Sequence, residues 1–283
     1  MSDAVQLPDW ASLSGTADAA MPLFACALLI ARDEYPALDI AHCDAVLESH
    51  ARHLRIEVDT IEQTPLKMQA INRHLFEEIG YAGNHDTYYD PRNSYLNAVI
   101  ERRLGNPIML AVVQMEVARR LGVALDGISF PGHFLVRLPV GDGMLVMDPF
   151  NGGRPLDIEE LRSRAAPHVD GGPPDDDTLA RLLRPATPRT MLMLMRILRN
   201  LHGTYAEAED WARAVRCADR LLSLAPDAPD ALRDRGLGYL ALGHVAGARE
   251  DLGHYVVRYP DAADLDAVRE QLVHLGRARD RAH

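Results

Sequence analysis

The sequence predicts a mostly helical α+β fold, a core with one small antiparallel sheet followed by an all-α repeat domain. Three observations carry that expectation. Apolar residues recur at helical spacing through most of the long segments. One hairpin, between Phe134 and Met147, has a face made wholly of apolar side chains. Pro226 and Pro260 stand 260 − 226 = 34 residues apart, with matching residues at equal offsets before each.

Taken in order, residues 1–16 read as a flexible polar tail. A core domain is expected over 17–165, a linker over 166–190 and the repeat domain over 191–283. Helices are expected from Pro22 to Arg32 and from about Ile40 to Val58, with Leu28 and Ile30 in the first and Leu47 and Leu54 in the second turned to a core. Thr64-Pro65 supplies a cap and a proline at the first helical position, and Gly80 closes that third helix. Residues 81–92, YAGNHDTYYDPR, form a loop rich in turn formers and tyrosine.

The stretch from Asn93 to Gly153 organises the core. A helix from Ser94 to Leu104, capped by Asn93, ends at Gly105-Asn106-Pro107. Asn106 suits the cap of a second helix, and Pro107 its first position, where a missing N–H costs nothing. Apolar residues from Ile108 to Leu121 run round most of that helix, so it is expected to be buried, and Gly122 stands where a C-terminal glycine belongs. With Pro139-Val140-Gly141-Asp142 as a four-residue loop, Leu138 pairs with Gly143 and, counting outward, His133 faces Asp148. Period-2 alternation puts both on the face of Leu135, Arg137, Met144 and Val146, opposite the apolar face of Phe134, Val136, Leu138, Leu145 and Met147. A His and an Asp opposed at the open end of a buried hairpin read as an oriented imidazole.

This order of NSYLN, a G-x-P-I helix start, PGHFLVR and DPFNGG resembles the transglutaminase-like (papain-type) core, in particular the bacterial SirB group, over roughly Pro22 to Leu161. In active members a Cys begins the buried helix, a His opens the next strand and an Asp follows on its partner. The resemblance implies catalytic roles for His133 and Asp148, but Asn106-Pro107-Ile108-Met109 stands where the thiol belongs. A Cys at a helix N-terminus becomes a thiolate because the dipole and a nearby imidazolium lower its pKa. Without one, His and Asp orient water or hold a polar ligand and form no thioester. Ser94 and Ser129 lie close to the motif, but a serine nucleophile needs a base within reach. Cys26 and Cys43 fall in the N-terminal helices and read as small buried hydrophobes. Asn106, Asn151, Tyr95 and Arg137 are the candidate binding residues around the cleft, with helix cap and turn as the plainer roles of the two asparagines.

After a helix from Asp157 to about Arg164, Pro167 to Asp177 reads as an acidic, turn-rich connector. Asp177 then caps a short helix to Arg184, and Pro185 and Pro188 break the chain again. Counting back from the two later prolines pairs Tyr205 with Tyr239, Ala214 with Ala248, Ala218 with Leu252 and Leu221 with Tyr255. Two copies result, about Met195 to Ala228 and Pro229 to Ala262, covered by a last helix from about Asp264 to Arg279. The period and the Gly236-x-x-Tyr239 spacing resemble the tetratricopeptide repeat, which implies a surface for a peptide or protein partner. Arg213, Arg216, Arg220, Arg233 and Arg235 are candidates to receive an acidic peptide end there.

Composition narrows the rest. The 283 residues leave room for two modest domains, and 47% hydrophobic with 25% charged residues is ordinary for a soluble globular protein. A net charge of −11 argues against nucleic acid and anionic membrane as partners. Three cysteines with no C-x-x-C point to reduced thiols in the cytoplasm. The N-terminus lacks the basic and apolar regions of a signal peptide, and no apolar run approaches the ~18 residues of a membrane span. His42, His50 and His53 share one helix with no matching carboxylate or Cys set, so no metal or cofactor is expected. The expected function is a non-catalytic or altered transglutaminase-like protein that binds a peptide or protein. The alternative is an amide-bond hydrolase or acyltransferase with a non-standard nucleophile, which requires that nucleophile within roughly 3–4 Å of the His133 ring.

Overall fold

The computed structural model describes residues 5–185 and 189–280. The chain divides into two units, one holding Ala17–Ile197 and the other holding Asp9–Thr16 with Leu198 onward. The expected break at Pro188 lies outside the described residues.

The stretch expected to be a flexible tail holds instead a short helix, α1 (Trp10–Leu13), capped by Asp9. Leu13 is only 1% exposed, and Trp10 is buried beneath the Arg220 guanidinium, 4.9 Å from its ring centre. Two large apolar side chains outweigh the polar composition around them, so this segment belongs to the second unit.

The larger unit begins with α2 (Leu23–Arg32), α3 (Ile40–Thr60) and α4 (Thr64–Asn72). The expected third helix does not run evenly to Gly80: after α4 the backbone is wound as a π-helix over Arg73–Glu78. The loop that follows holds β1 (Ala82–Gly83) and is pinned by Asn93. Asn93 does not cap a helix as expected. It is buried, donates to the carbonyls of Thr87 and Tyr88, and accepts from Asn84. The helix α5 accordingly starts later, at Leu96–Arg102, and β2 (Leu104–Gly105) pairs in parallel with β1.

The helix start at Asn106 follows from the sequence. In α6 (Pro107–Arg120) the Asn106 side chain accepts from the Met109 N–H at 3.0 Å, with Pro107 in the first turn. This helix is buried on nearly every side, with α2, α3, α4 and α5 packed around it. A four-stranded antiparallel sheet follows in the order β3-β4-β5-β6, formed by Asp126–Ile128, Leu135–Val140, Gly143–Asp148 and Arg154–Pro155.

The hairpin register differs from the expected one by two residues. Val140 pairs with Gly143 and Leu138 with Leu145, so the loop is only Gly141-Asp142. Gly141 has φ +54°, the left-handed first position that a two-residue hairpin turn favours, and Pro139 is accommodated inside the strand. A slip of two preserves every side chain's face. Val136, Leu138 and Met147 are buried on one face, as expected. On the other face Leu135 and Val146 are buried as well, beneath α7 (Ile158–Ala165) and α8 (Asp176–Leu182).

That second layer corrects the expected linker over 166–190. Leu179 of α8 and Leu183 just beyond it join Ile128, Phe130, Leu161 and Ala165 in a single apolar cluster. The acidic run is the start of this helix: Asp175, rather than Asp177, caps it by accepting from the Thr178 N–H, and Asp176 and Asp177 occupy its first turn.

Helix α9 (Arg189–Glu207) runs across the division between the units. In the second unit α10 (Trp211–Leu224), α11 (Pro229–Ala241), α12 (Val245–Arg258) and α13 (Leu265–Asp280) follow. The residues matched by the 34-residue offset are buried in both copies: Ala214 and Ala248, Ala218 and Leu252, Leu221 and Tyr255. Gly236 lets α11 approach α12, because a Cβ there would lie 2.7 Å from the Leu252 side chain. Gly236→Ala is therefore expected to destabilise the repeat unit by about 1–2 kcal/mol, measured by urea denaturation followed through the fluorescence of Trp10 and Trp211. Three of the arginines considered as a groove for an acidic peptide are paired with the chain's own carboxylates. Arg233 pairs with Asp234 and Asp264, Arg235 with Asp219 and Asp251, and Arg213 with Asp210. No helix among the described residues is long and apolar enough to cross a membrane.

Candidate functional site

The segment before β4 turns back on itself, with the His133 N–H bonded to the Phe130 carbonyl at 3.0 Å, so His133 precedes the strand rather than opening it. Asp148 ends β5 and caps the 3-10 turn Pro149–Asn151, against which α6 packs. The two side chains meet although they are not hairpin partners: His133 Nε2 lies 2.8 Å from Asp148 Oδ1.

Asp148 is 0% exposed and accepts five hydrogen bonds. Oδ1 takes the His133 ring and the N–H groups of Phe150 and Asn151, while Oδ2 takes the Asn151 amide at 2.7 Å and Arg164 NH1 at 2.6 Å. Burial alone would push this carboxyl up, but the bonds from His133, Arg164 and Asn151 outweigh it and hold it well below the usual carboxylate range. An ionised Asp148 can only accept at this contact, so the ring nitrogen facing it, Nε2, carries a proton. The His133 side chain is 18% exposed, and no group among the described residues hydrogen-bonds Nδ1.

One wall beside His133 is aromatic. Phe150 meets the imidazole edge-on with centroids 5.8 Å apart, and His85 and Tyr88 meet Phe150 from the loop after β1. Tyr88 and Tyr89 are 44% and 67% exposed. Arg196 of α9 donates to the His133 carbonyl at 3.0 Å and to Ser129 Oγ, and stacks over Phe134. Among the described residues it has no carboxylate partner, and burial pushes its pKa down.

Among the described residues no thiol or hydroxyl hydrogen-bonds the His133 ring. Asn106 caps α6 and donates to Ser94 Oγ at 2.7 Å, so that hydroxyl is engaged in the interior. Ser129 is engaged by Arg196. Cys26, Cys43 and Cys217 are buried, and burial pushes the Cys26 and Cys43 thiols up to about 11. Among the candidate binding residues, Asn151 adjoins the pair directly. Asn106 is a cap, Arg137 is tied to Asp126, and Tyr95 is buried edge-on against Tyr35 rather than lining a groove. Sequence reading missed Arg164 and Arg196, which approach from distant helices. It could have found Phe150 from its place in DPFNGG.

A helix-start, hairpin and His–Asp pair in this order define a transglutaminase-like protein, and residues 41–199 match the transglutaminase-like superfamily. The chain belongs to that superfamily. Residues 201–273 match the tetratricopeptide repeat, as the 34-residue period implied. The chain is 60% identical over 283 residues, the whole of both chains, to a protein of Xylella fastidiosa (strain 9a5c) named UPF0162 protein. It is 34% identical to a Pseudomonas aeruginosa protein of the same family name, covering 77% of this chain and 78% of that one. A 117-residue stretch, 38% of this chain, is 34% identical to 19% of the mouse F-box only protein 21. No solved structure matches the chain.

Proposed function

We propose that this chain is a non-catalytic or altered transglutaminase-like protein that binds a peptide or protein segment. The observation that supports this reading is an oriented, accessible imidazole to which, among the described residues, no thiol or hydroxyl is hydrogen-bonded. Thioester chemistry needs a thiolate beside the ring, and burial pushes the Cys26 and Cys43 thiols up to about 11, away from the ionised form. What remains suits recognition. In the neutral ring a lone pair on Nδ1 accepts a backbone N–H, Arg196 offers a cation with no carboxylate partner among the described residues, and the exposed rings of Tyr88 and Tyr89 present flat apolar faces. Tetratricopeptide repeats stack into extended binding surfaces, which gives the second unit the same kind of role.

The native protein is expected to resist thiol reagents until it is unfolded, and any hydrolysis of an activated ester or anilide is expected to be unchanged in His133→Ala. Capture of partners by immobilised full-length protein is expected to weaken in Tyr88→Ala and Arg196→Ala. A hydrolytic rate abolished by His133→Ala would instead establish the hydrolase or acyltransferase alternative.

A further inference from the structure

The π-helix after α4 carries part of a second cluster of functional side chains. It is closed by the Ile79 N–H on the His74 carbonyl, five residues back, at 2.9 Å. Such windings are less favourable than α-helix and recur at functional sites. Here His74 Nδ1 and Glu78 Oε2 share a hydrogen bond at 2.9 Å, whose proton a bound ion would replace. His53 of α3 stacks on the His74 ring, centroids 4.8 Å apart and 22° from parallel. One ligand atom from each of His53, His74 and Glu78 lies within 4.8 Å of the others. Ligands of a tetrahedral zinc ion, bound at ~2.0–2.1 Å, sit about 3.3 Å apart. His53 and Glu78 are exposed, so rotation of their side chains closes the set.

The outer groups are arranged as they are around metal sites. Glu78 presents Oε2 to His74, while Oε1 is held by Arg73 Nε at 3.1 Å. Arg73 is itself fixed by Glu57 at 2.7 Å. The far nitrogen of His74, Nε2, lies 3.2 Å from Nδ1 of the buried His50. A metal-bound imidazole carries its proton on the other nitrogen and needs an acceptor there, and His50 is placed to be that acceptor.

We propose that His53, His74 and Glu78 form a binding site for a divalent first-row transition ion of the zinc type, with water completing the coordination. Two imidazoles and one carboxylate suit such a borderline cation better than magnesium or calcium, which favour oxygen ligands throughout. The site would tie α3 to the π-helical segment.

The test is calorimetric titration of the full chain, stripped with chelator and dialysed, with zinc chloride. One ion per chain is expected. His53→Ala and Glu78→Gln are each expected to weaken binding by at least about tenfold, while His42→Ala, on the same helix as His53, leaves it unchanged. Both ligand variants alter exposed residues, so folding is retained and is checked by circular dichroism. Zinc raises the melting midpoint of the wild type and of neither ligand variant, and cobalt gives ligand-field absorption only where zinc binds. Absence of binding by the wild type, binding by the ligand variants as tight as that of the wild type, or equal affinity for magnesium overturns the assignment.

Discussion

Replacing Arg164 with alanine is expected to destabilise the sheet that carries the His–Asp pair by about 3 kcal/mol. The reasoning starts from Asp148, a carboxylate with no solvent exposure. Removing one partner of a buried ion pair leaves a charge whose desolvation is no longer offset. That loss exceeds what a surface salt bridge contributes. After the substitution Oδ2 keeps only the Asn151 amide, while Oδ1 keeps its three donors. Four remaining hydrogen bonds place the effect toward the lower end of the range for broken buried pairs. Arg154→Ala serves as the control, since Arg154 reaches the same Glu160 that Arg164 does but is half exposed. It is expected to change stability by less than about 0.5 kcal/mol. Amide hydrogen exchange across β4 and β5 measures both. A double-mutant cycle of Arg164→Ala with Asp148→Ala should show a coupling of at least about 1 kcal/mol. A change no larger than that of Arg154→Ala would mean that Asp148 is not held as a carboxylate.

Arg164 also marks the limit of what can be read along the chain. Local chemistry was legible: Asn106-Pro107 announces a helix start, and two prolines at a fixed offset announce a repeat whose buried positions match pair by pair. The hairpin's faces were legible because alternation survives a two-residue slip, but its register was not. Pro139 reads as a loop residue, whereas the strand tolerates it and the turn needs only Gly141 and Asp142. The helix α8 was hidden because PPDDD looks like a linker, while its burial depends on Leu179 and Leu183 alone. Trp10 and Leu13 escaped notice for the same reason. Groups that act across the fold leave no local signature. Arg164 comes from α7, Arg196 from α9, and the aromatic loop is set beside His133 by hydrogen bonds from Asn93. The π-helical winding over His74 and Glu78 likewise cannot be read from their spacing, because i and i+4 residues adjoin in an ordinary helix too.

Acidification is expected to remove stability that Asp148 contributes at neutral pH, and the sign follows from the direction of its shift. Its pKa in the folded chain lies below the ordinary value of 3.8, because the bonds from His133, Arg164 and Asn151 outweigh burial. Between the folded and unfolded values the unfolded chain binds more protons, so stability rises with pH across that window. The contribution is fully present above the unfolded value. It begins to be lost as pH falls through 3.8, and it is gone once pH passes below the folded value. For a carboxylate held this way the loss is on the order of 2 kcal/mol. Other paired carboxylates, among them Asp90, Asp230 and Asp264, are held low as well, so the wild-type curve alone does not isolate Asp148. The difference between wild type and Asp148→Asn does. The variant is expected to be less stable at neutral pH, where its amide faces the Arg164 and Asn151 donors, and to lose less stability on acidification. Denaturation midpoints taken at neutral pH and below 3.8 measure that difference. Parallel curves for the two proteins would place the titration on another carboxylate and remove the electrostatic reason for keeping the His133 proton on Nε2.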